Sequence, residues 1–260
     1  MEAANKHKKK PQDEQKQKAK KKKKKVALPD ARLLVVIDRS GSMSSIWPQT
    51  VSSFEKFVTD QQALPGKAWL TTAMFDDQYD LAHDNTPLSD VNAAAIRVFG
   101  PRGSTALYDA VGRTINNALN SHVKKGTRTM LVIITDGYEN ASREFNYSKI
   151  QDLIKAAQDT HKWEVIFLGA NMDAKETAYG LGIKRSKAAT FAATGAGAVA
   201  ATATLNAMTT GYRSAVGGVA MAAYDNMDVA DVYATAAANP ANLVDTTKKD
   251  VVSKSTQPKS

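Results

Sequence analysis

The chain alternates short, uninterrupted apolar runs with longer stretches in which apolar residues recur every three or four positions. The runs at 33–37 and 130–134 are rich in β-branched residues, which is typical of strands covered on both faces of a sheet. The stretches at 47–58 and 107–119 each carry one apolar stripe at helical spacing. The pattern predicts an α/β fold, with a mainly parallel central sheet, one antiparallel edge strand and helices on both faces.

Strand and helix patterns alternate along most of the chain. The short connection between the second and third strand patterns favours a hairpin, which makes the third strand the antiparallel one. Residues 215–260 carry only weak patterns, a strand over 219–224 and a helix over 228–238. The stronger patterns predict strands over 33–37, 67–77, 79–84, 130–135, 163–168 and 188–193, and helices over 47–58, 88–98, 107–119, 150–157, 174–181 and 196–213.

Polar residues begin where the first predicted strand ends, as Asp38, Ser40 and Ser42. Open α/β sheets bind ligands at this carboxyl edge. A carboxylate and two hydroxyls are hard oxygen donors, which suit Mg²⁺ or a similar cation. An Asp-x-Ser-x-Ser pattern alone also fits a simple turn whose serine caps the following helix.

Two further stretches carry matching chemistry. Thr105 begins the second helical pattern after Gly103, and Asp136 ends the strand pattern at 130–135. Together with Asp38, Ser40 and Ser42 these stretches resemble the von Willebrand factor A family and its metal-ion-dependent adhesion site, a discontinuous set whose five positions are filled here. The region at 167–183 is also similar to stand-alone proteins of this family from bacteria and their phages.

The resemblance implies a Rossmann-like three-layer sandwich and a non-catalytic role. It implies Mg²⁺ or Mn²⁺ as the cofactor, with Ser40 and Ser42 as direct ligands and Thr105 as a ligand in the binding-competent state. Asp38 and Asp136 would act directly or through water, and an acidic residue of a partner protein would complete the coordination. Glu139 and Asn140, in the loop after Asp136, are expected to contact that partner.

Three other kinds of site fit the sequence less well. A haloacid-dehalogenase-like phosphatase needs a titratable acid two residues after its first Asp, and that position is Ser40. The segment at 195–200 matches a Gly-x-Gly-x-x-Ala dinucleotide pattern, with Asp225 downstream, but its preceding strand is marginal, so a helix N-terminus is expected. Asp76 and Asp77 could mimic a second cation site, although carboxylates after an edge strand are usually solvated.

The charge of the chain is concentrated at its beginning. The net charge is +9, and residues 1–25 hold 12 Lys against three acidic residues, so the remainder is neutral overall. We expect a disordered tail that serves either for solubility or for nonspecific attraction to nucleic acid or an anionic surface. A nucleic-acid-associated scaffold anchored by this tail is therefore the alternative function.

These features divide the chain into three parts, an N-terminal arm at 1–30, a von Willebrand factor A domain at 31–214 and an extension with a polar tail at 215–260. The 260 residues include no cysteine, which excludes disulfides and cysteine-based zinc sites. The sequence carries no apolar run long enough to cross a membrane and no apolar core of a signal peptide. We therefore expect a cytoplasmic protein, in the host cytoplasm if the source is viral.

Overall fold

The computed structural model describes residues 27–239, so most of the predicted arm and the predicted tail from residue 240 lie outside the described residues. Six strands form one sheet in the order β3-β2-β1-β4-β5-β6. All neighbours pair in parallel except β2 and β3, whose antiparallel register is interrupted by a bulge. The strands are β1 Ala31–Asp38, β2 Ala68–Phe75, β3 Tyr79–Pro87, β4 Arg128–Thr135, β5 Glu164–Ala170 and β6 Ala188–Phe191.

Seven α-helices connect and follow these strands in residues 27–239. Pro48 lies in the first turn of the first helix, where a missing backbone N–H leaves no hydrogen bond unmade. The helices are α1 Trp47–Gln62, α2 Leu107–Asn120, α3 Tyr147–Asp159, α4 Ala174–Gly180, α5 Gly195–Ser214, α6 Gly218–Asp225 and α7 Val229–Ala237.

The central strand β1 separates two apolar cores. Its eight residues are all buried. Because side chains alternate across a strand, Leu33 and Val35 pack on one face with α1, α5 and the C-terminal helices. Leu34 and Val36 pack on the other face with α2, α3 and α4. This three-layer arrangement confirms the predicted fold class.

Two local predictions were wrong. The predicted helix at 88–98 is a pair of 3₁₀ segments, Leu88–Asp90 and Ala93–Val98. They are separated where Asn92, with an extended backbone, accepts a hydrogen bond from the Ala94 N–H and so caps the second segment. The strand expected at 219–224 is helix α6, because this alanine-rich run favours helix.

The described part of the predicted extension packs onto the same core. Tyr224 and Val229 are buried within the apolar core on the α1 and α5 side of the sheet. Tyr224 also lies against Tyr212 of α5, with ring centroids 5.4 Å apart. Within residues 27–239, no helix combines the length and the apolar character required to cross a bilayer. The proposed boundary at residue 214 stays a prediction.

Candidate functional site

The candidate site lies at the carboxyl ends of β1 and β4, which are neighbours in the centre of the sheet. Asp38 ends β1, and Ser40 and Ser42 follow in a loop that becomes the 3₁₀ turn Gly41–Ser45. The Ser40 and Ser42 hydroxyl oxygens are 3.1 Å apart, and the Ser42 hydroxyl donates to Asp136 Oδ1 over 2.7 Å. The structure therefore brings these residues together across almost one hundred positions of sequence.

The Asp38 carboxylate is fully buried and held from two directions. It accepts hydrogen bonds from the Ser40 backbone N–H at 2.7 Å and from the Thr135 hydroxyl at 2.6 Å. Its pKa is raised to about 6, chiefly by burial and to a smaller degree by the nearby charge of Asp136, against the opposing effect of these hydrogen bonds. Thr135 is a site residue that sequence analysis missed, because it reads as the last residue of an apolar strand.

The second carboxylate, Asp136, is half-buried. Burial raises its pKa as well, and the hydrogen bond from Ser42 acts in the opposite direction. The described residues include no Lys, Arg or His side chain within salt-bridge distance of Asp38 or Asp136. Two adjacent carboxyl groups thus lie at the sheet edge without a compensating positive charge.

Thr105 is held beside the second carboxylate by the loop that precedes α2. Its backbone N–H donates to Asn140 Oδ1 at 2.9 Å, and the Asn140 N–H donates to the Thr105 carbonyl at 3.0 Å. A Cβ placed on Gly137 would lie 3.1 Å from the Thr105 hydroxyl oxygen, so this hydroxyl packs directly against the backbone that follows Asp136. Asn140 is exposed, but its side chain positions Thr105, a role that the sequence did not reveal.

A buried ionic network fastens the same loop to the strands. Arg102 Nε lies 2.6 Å from Asp76 Oδ2, and Arg39 Nε lies 3.5 Å from the same oxygen. The Arg102 N–H donates to the Arg39 carbonyl at 2.8 Å, and the Ala106 N–H donates to the Asp76 carbonyl. Asp76 is therefore not solvated as predicted but fully buried, because two guanidinium groups compensate its charge. Asp77 is exposed.

The loop after Asp136 is held by carboxylates that cap its backbone. Glu139 accepts hydrogen bonds from the N–H groups of Ala141, Ser142 and Tyr108. Asp109 in α2 accepts three more, from the N–H groups of residues 143 to 145. Glu139 thus stabilises the site from within the protein, and its contact with a partner stays a prediction.

The donor set fits a hard divalent cation. It consists of two carboxylates and three hydroxyls, all oxygen ligands. The contrast with Asp76 is informative, because Asp38 and Asp76 are equally buried but only Asp76 has cationic side chains beside it. Burying an ionised carboxylate without a positive charge beside it destabilises the folded protein, and a bound cation would offset that cost. Residues 27–239 contain no cluster of three His, Cys, Asp or Glu side chains suited to another kind of metal site.

The glycine-rich segment before α5 has a structural explanation. The Thr194 side chain caps the helix by accepting a hydrogen bond from the Gly197 N–H at 3.1 Å. A Cβ on Gly197 would lie only 2.0 Å from the Ala192 carbonyl oxygen, so a side chain is excluded by close packing of the backbone. The expected helix N-terminus is confirmed.

The sheet order, the two helical layers and the polar residues at the carboxyl edge define a Rossmann-like domain with an oxygen-donor site. The chain belongs to the von Willebrand factor type A domain family, whose model matches residues 33–206. No curated protein sequence is significantly similar to the chain.

Solved structures share this fold at low sequence identity. Proximal thread matrix protein 1 from the mussel byssus is 16% identical, with a TM-score of 0.52 over 70% of this chain and 46% of the mussel chain. Manganese-loaded TRAP protein of Plasmodium vivax is 12% identical, with a TM-score of 0.49 over 64% of this chain and 70% of that chain. The chain thus spans less than half of the mussel protein, and at this identity the likeness to it shows the fold alone.

Proposed function

We propose that this domain binds a divalent cation, Mg²⁺ or Mn²⁺, through Asp38, Ser40, Ser42, Thr105 and Asp136, and that it uses the cation to capture an acidic residue of a partner protein. The observation that carries the proposal is the pair of adjacent carboxylates, one of them fully buried, with no positive side chain beside them among residues 27–239. Membership of the von Willebrand factor type A domain family, whose adhesion site the five residues resemble, supports it.

Each residue of the set has a separate role in the proposal. Asp38 and Asp136 provide negative charge, while Ser40, Ser42 and Thr105 provide neutral oxygens. The three hydroxyls are neutral, so the two carboxylates would offset the charge of a divalent ion without leaving a negative surplus that repels a partner carboxylate. Five protein ligands would also leave open one position of the octahedral geometry that Mg²⁺ prefers. The proposed role is binding and not catalysis, since Ser40 stands where a haloacid-dehalogenase-like phosphatase would need a titratable acid.

Thr105 would control whether the site can accept a partner. Its loop is fixed on one side by Asn140 and on the other by the Asp76 network. Both attachments act on the backbone around Thr105 and leave its hydroxyl free of any hydrogen-bond partner among residues 27–239. That hydroxyl is therefore available as a ligand once the cation is present.

The cation step can be tested with two neighbouring serines. Ser42 belongs to the proposed set, whereas Ser44 is an exposed residue of the same 3₁₀ turn whose hydroxyl donates to the Gly41 carbonyl. We expect Mg²⁺ to raise the melting temperature of the wild type by mass action, Ser42→Ala to reduce the response and Ser44→Ala to retain it. Equal responses in all three proteins would refute the assignment.

Partner capture needs a second measurement. Affinity purification from native lysate, run in parallel with Mg²⁺ and with EDTA, should recover proteins that require the cation, and Thr105→Ala should lose them while remaining folded. Binding that is unchanged in EDTA and in Thr105→Ala would mean that the partner docks elsewhere. Salt-sensitive binding of nucleic acid that survives EDTA and depends on residues 2–25 would favour the alternative, a scaffold anchored by the Lys-rich tail.

A further inference from the structure

A second polar pocket lies at the edge of the sheet opposite the candidate metal site. It has a volume of about 150 Å³, and we call it the amino-edge pocket because β1 and β2 begin there. Arg32 and Asp38 are six residues apart on β1, which places this pocket about 20 Å from the candidate metal site. The residues of the pocket used below are Arg32, Trp69, Asn85, His122, Lys124 and Thr127.

Arg32 is the unusual residue of the pocket. Its side chain is only 4% exposed, and it has no acidic partner among residues 27–239. The guanidinium donates to the Ala118 carbonyl, the Ser121 hydroxyl and the Thr129 hydroxyl, using Nη1 and Nε only. The remaining nitrogen, Nη2, has no acceptor in the described part of the chain. An arginine stays charged when buried. Among residues 27–239 its charge faces these three acceptors and the Trp163 ring, whose centroid is 5.2 Å from the guanidinium carbon, but no carboxylate.

The other walls of the pocket add donors. The Thr127 hydroxyl is buried without a hydrogen-bond partner. Exposed His122 and Lys124 lie at the pocket, and the Lys124 ammonium forms an ion pair with the Asp30 carboxylate at 3.0 Å. Asn85, at the bulged end of β3, has a left-handed backbone with φ of 42° and contributes a side-chain amide.

We propose that the amino-edge pocket binds a phosphate group, with Arg32 as its anchor. Guanidinium, ammonium and hydroxyl donors match the oxygens of a phosphate. The pocket volume is several times the volume that one water molecule occupies in the liquid. It is smaller than that of pockets for drug-sized ligands. The pocket therefore fits an inorganic phosphate or the phosphate end of a larger molecule.

The site does not depend on the cation. Its donors lie on the loop before β4 and at the beginnings of β1 and β2, whereas the proposed metal ligands lie at the other ends of β1 and β4. Phosphate binding should therefore persist in EDTA, and its failure would leave the proposed metal site untouched. Phosphate binding would also give the domain a recognition surface distinct from the one that captures an acidic partner.

The test is a titration of the full chain with inorganic phosphate in EDTA, at constant ionic strength set with chloride. The signals followed are those of the Arg32 Nε–H and the Trp69 indole N–H in nitrogen-correlated NMR spectra. We expect saturable shifts in the wild type. Arg32→Gln should weaken binding at least about tenfold, because a hydrogen bond to a charged group is lost. Shifts that do not saturate, or that chloride reproduces, would refute the proposal and leave water as the occupant.

Arg32 also anchors α2 and the loop that follows it through its bonds to Ala118 and Ser121, so its replacement could prevent folding. Two further variants keep the test decisive. Thr127→Val removes only the unpaired hydroxyl and should weaken binding about threefold to tenfold, whereas Lys125→Gln, which removes an exposed charge outside the pocket, should leave the affinity unchanged. Equal affinity in Thr127→Val and Lys125→Gln would overturn the assignment.

The same assay identifies the source of the phosphate. Glycerol 3-phosphate represents a lipid headgroup, and a nucleoside monophosphate adds a base that could lie against the Trp69 ring. Tighter binding of either compound than of inorganic phosphate assigns the larger ligand.

Discussion

Replacing Asp38 by Asn should stabilise the metal-free protein. Asp38 is fully buried, and no positive side chain of the described part of the chain lies near it; its pKa is raised from 3.8 to about 6, mainly by burial. Ionising a carboxyl group with such a pKa weakens the folded state by about 3 kcal/mol, at about 1.4 kcal/mol for each pH unit between the two pKa values. Asn avoids this penalty, because it retains an oxygen acceptor and has no charge.

The effect has a defined pH window. The folded state binds the proton of Asp38 more tightly than the unfolded state, so the contribution of Asp38 to the stability of the metal-free wild type should fall as the pH rises from 3.8 to about 6 and then level off. Asp38→Asn lacks this loss. The free energy of unfolding of metal-free Asp38→Asn should therefore equal that of the wild type near pH 4 and exceed it by about 3 kcal/mol at pH 8. Asp136, whose pKa is also raised by burial, titrates in both proteins, so the comparison isolates Asp38.

The assay is urea unfolding in EDTA at pH 4, 6 and 8, with Asp77→Asn as the control that removes an exposed carboxylate after the neighbouring strand. Saturating Mg²⁺ should then reverse the order at pH 8, because a cation present at about one thousand times its dissociation constant stabilises only the wild type, by about 4.1 kcal/mol. A metal-free Asp38→Asn protein that is no more stable than wild type at pH 8, or a difference that does not change with pH, would refute the reasoning.

Three further outcomes follow from contacts elsewhere in the domain. Asn140→Ala should fold and yet bind Mg²⁺ about tenfold more weakly in calorimetric titrations, because Thr105 loses the hydrogen bond that positions it. Gly197→Ala should lower the free energy of unfolding by about 3 kcal/mol, because its Cβ would meet the Ala192 carbonyl oxygen, whereas Gly100→Ala, with open space around it, should change that energy by less than about 0.5 kcal/mol. Deleting residues 2–25 should leave the denaturant midpoint unchanged, since none of them is a predicted core residue.

Each of these outcomes can be contradicted. Full Mg²⁺ affinity in Asn140→Ala would mean that the Asp76 network alone holds the loop. Equal stability of Gly197→Ala and Gly100→Ala would show that the backbone before α5 can move aside. A truncated protein that fails to fold would place the domain boundary before residue 26.

The central strand and the site chemistry were predictable because they are local in sequence. The apolar run of β1 predicts a buried strand of a sheet. The polar residues that follow it predict a ligand site at the carboxyl edge of that sheet. Thr135, and the role of Asn140 in positioning Thr105, were missed because they depend on partners 97 and 35 positions away, which no local pattern records. Asp76 was misjudged for the same reason, since the two arginines that allow its burial come from other segments.

Weak local preferences explain the errors in secondary structure. The run at 219–223 is apolar enough for a strand, but its alanines favour helix. Among the described residues the edge strand β6 pairs only with β5, so this run does not add a strand beside β6. The assignments to metal ligands, a cytoplasmic location and a bacterial or phage source stay predictions.

The position of β1 in the centre of the sheet has a consequence for synthesis. Its neighbour β4 ends at Thr135, so during translation about one hundred residues must follow Asp38 before that edge of β1 can be paired. At a translation rate of about 5–20 residues per second, this edge of the apolar strand remains unpaired for roughly 5–20 seconds. We expect this segment to be the one that chaperones hold on the nascent chain, and the two carboxylates of the site to meet only when that wait ends.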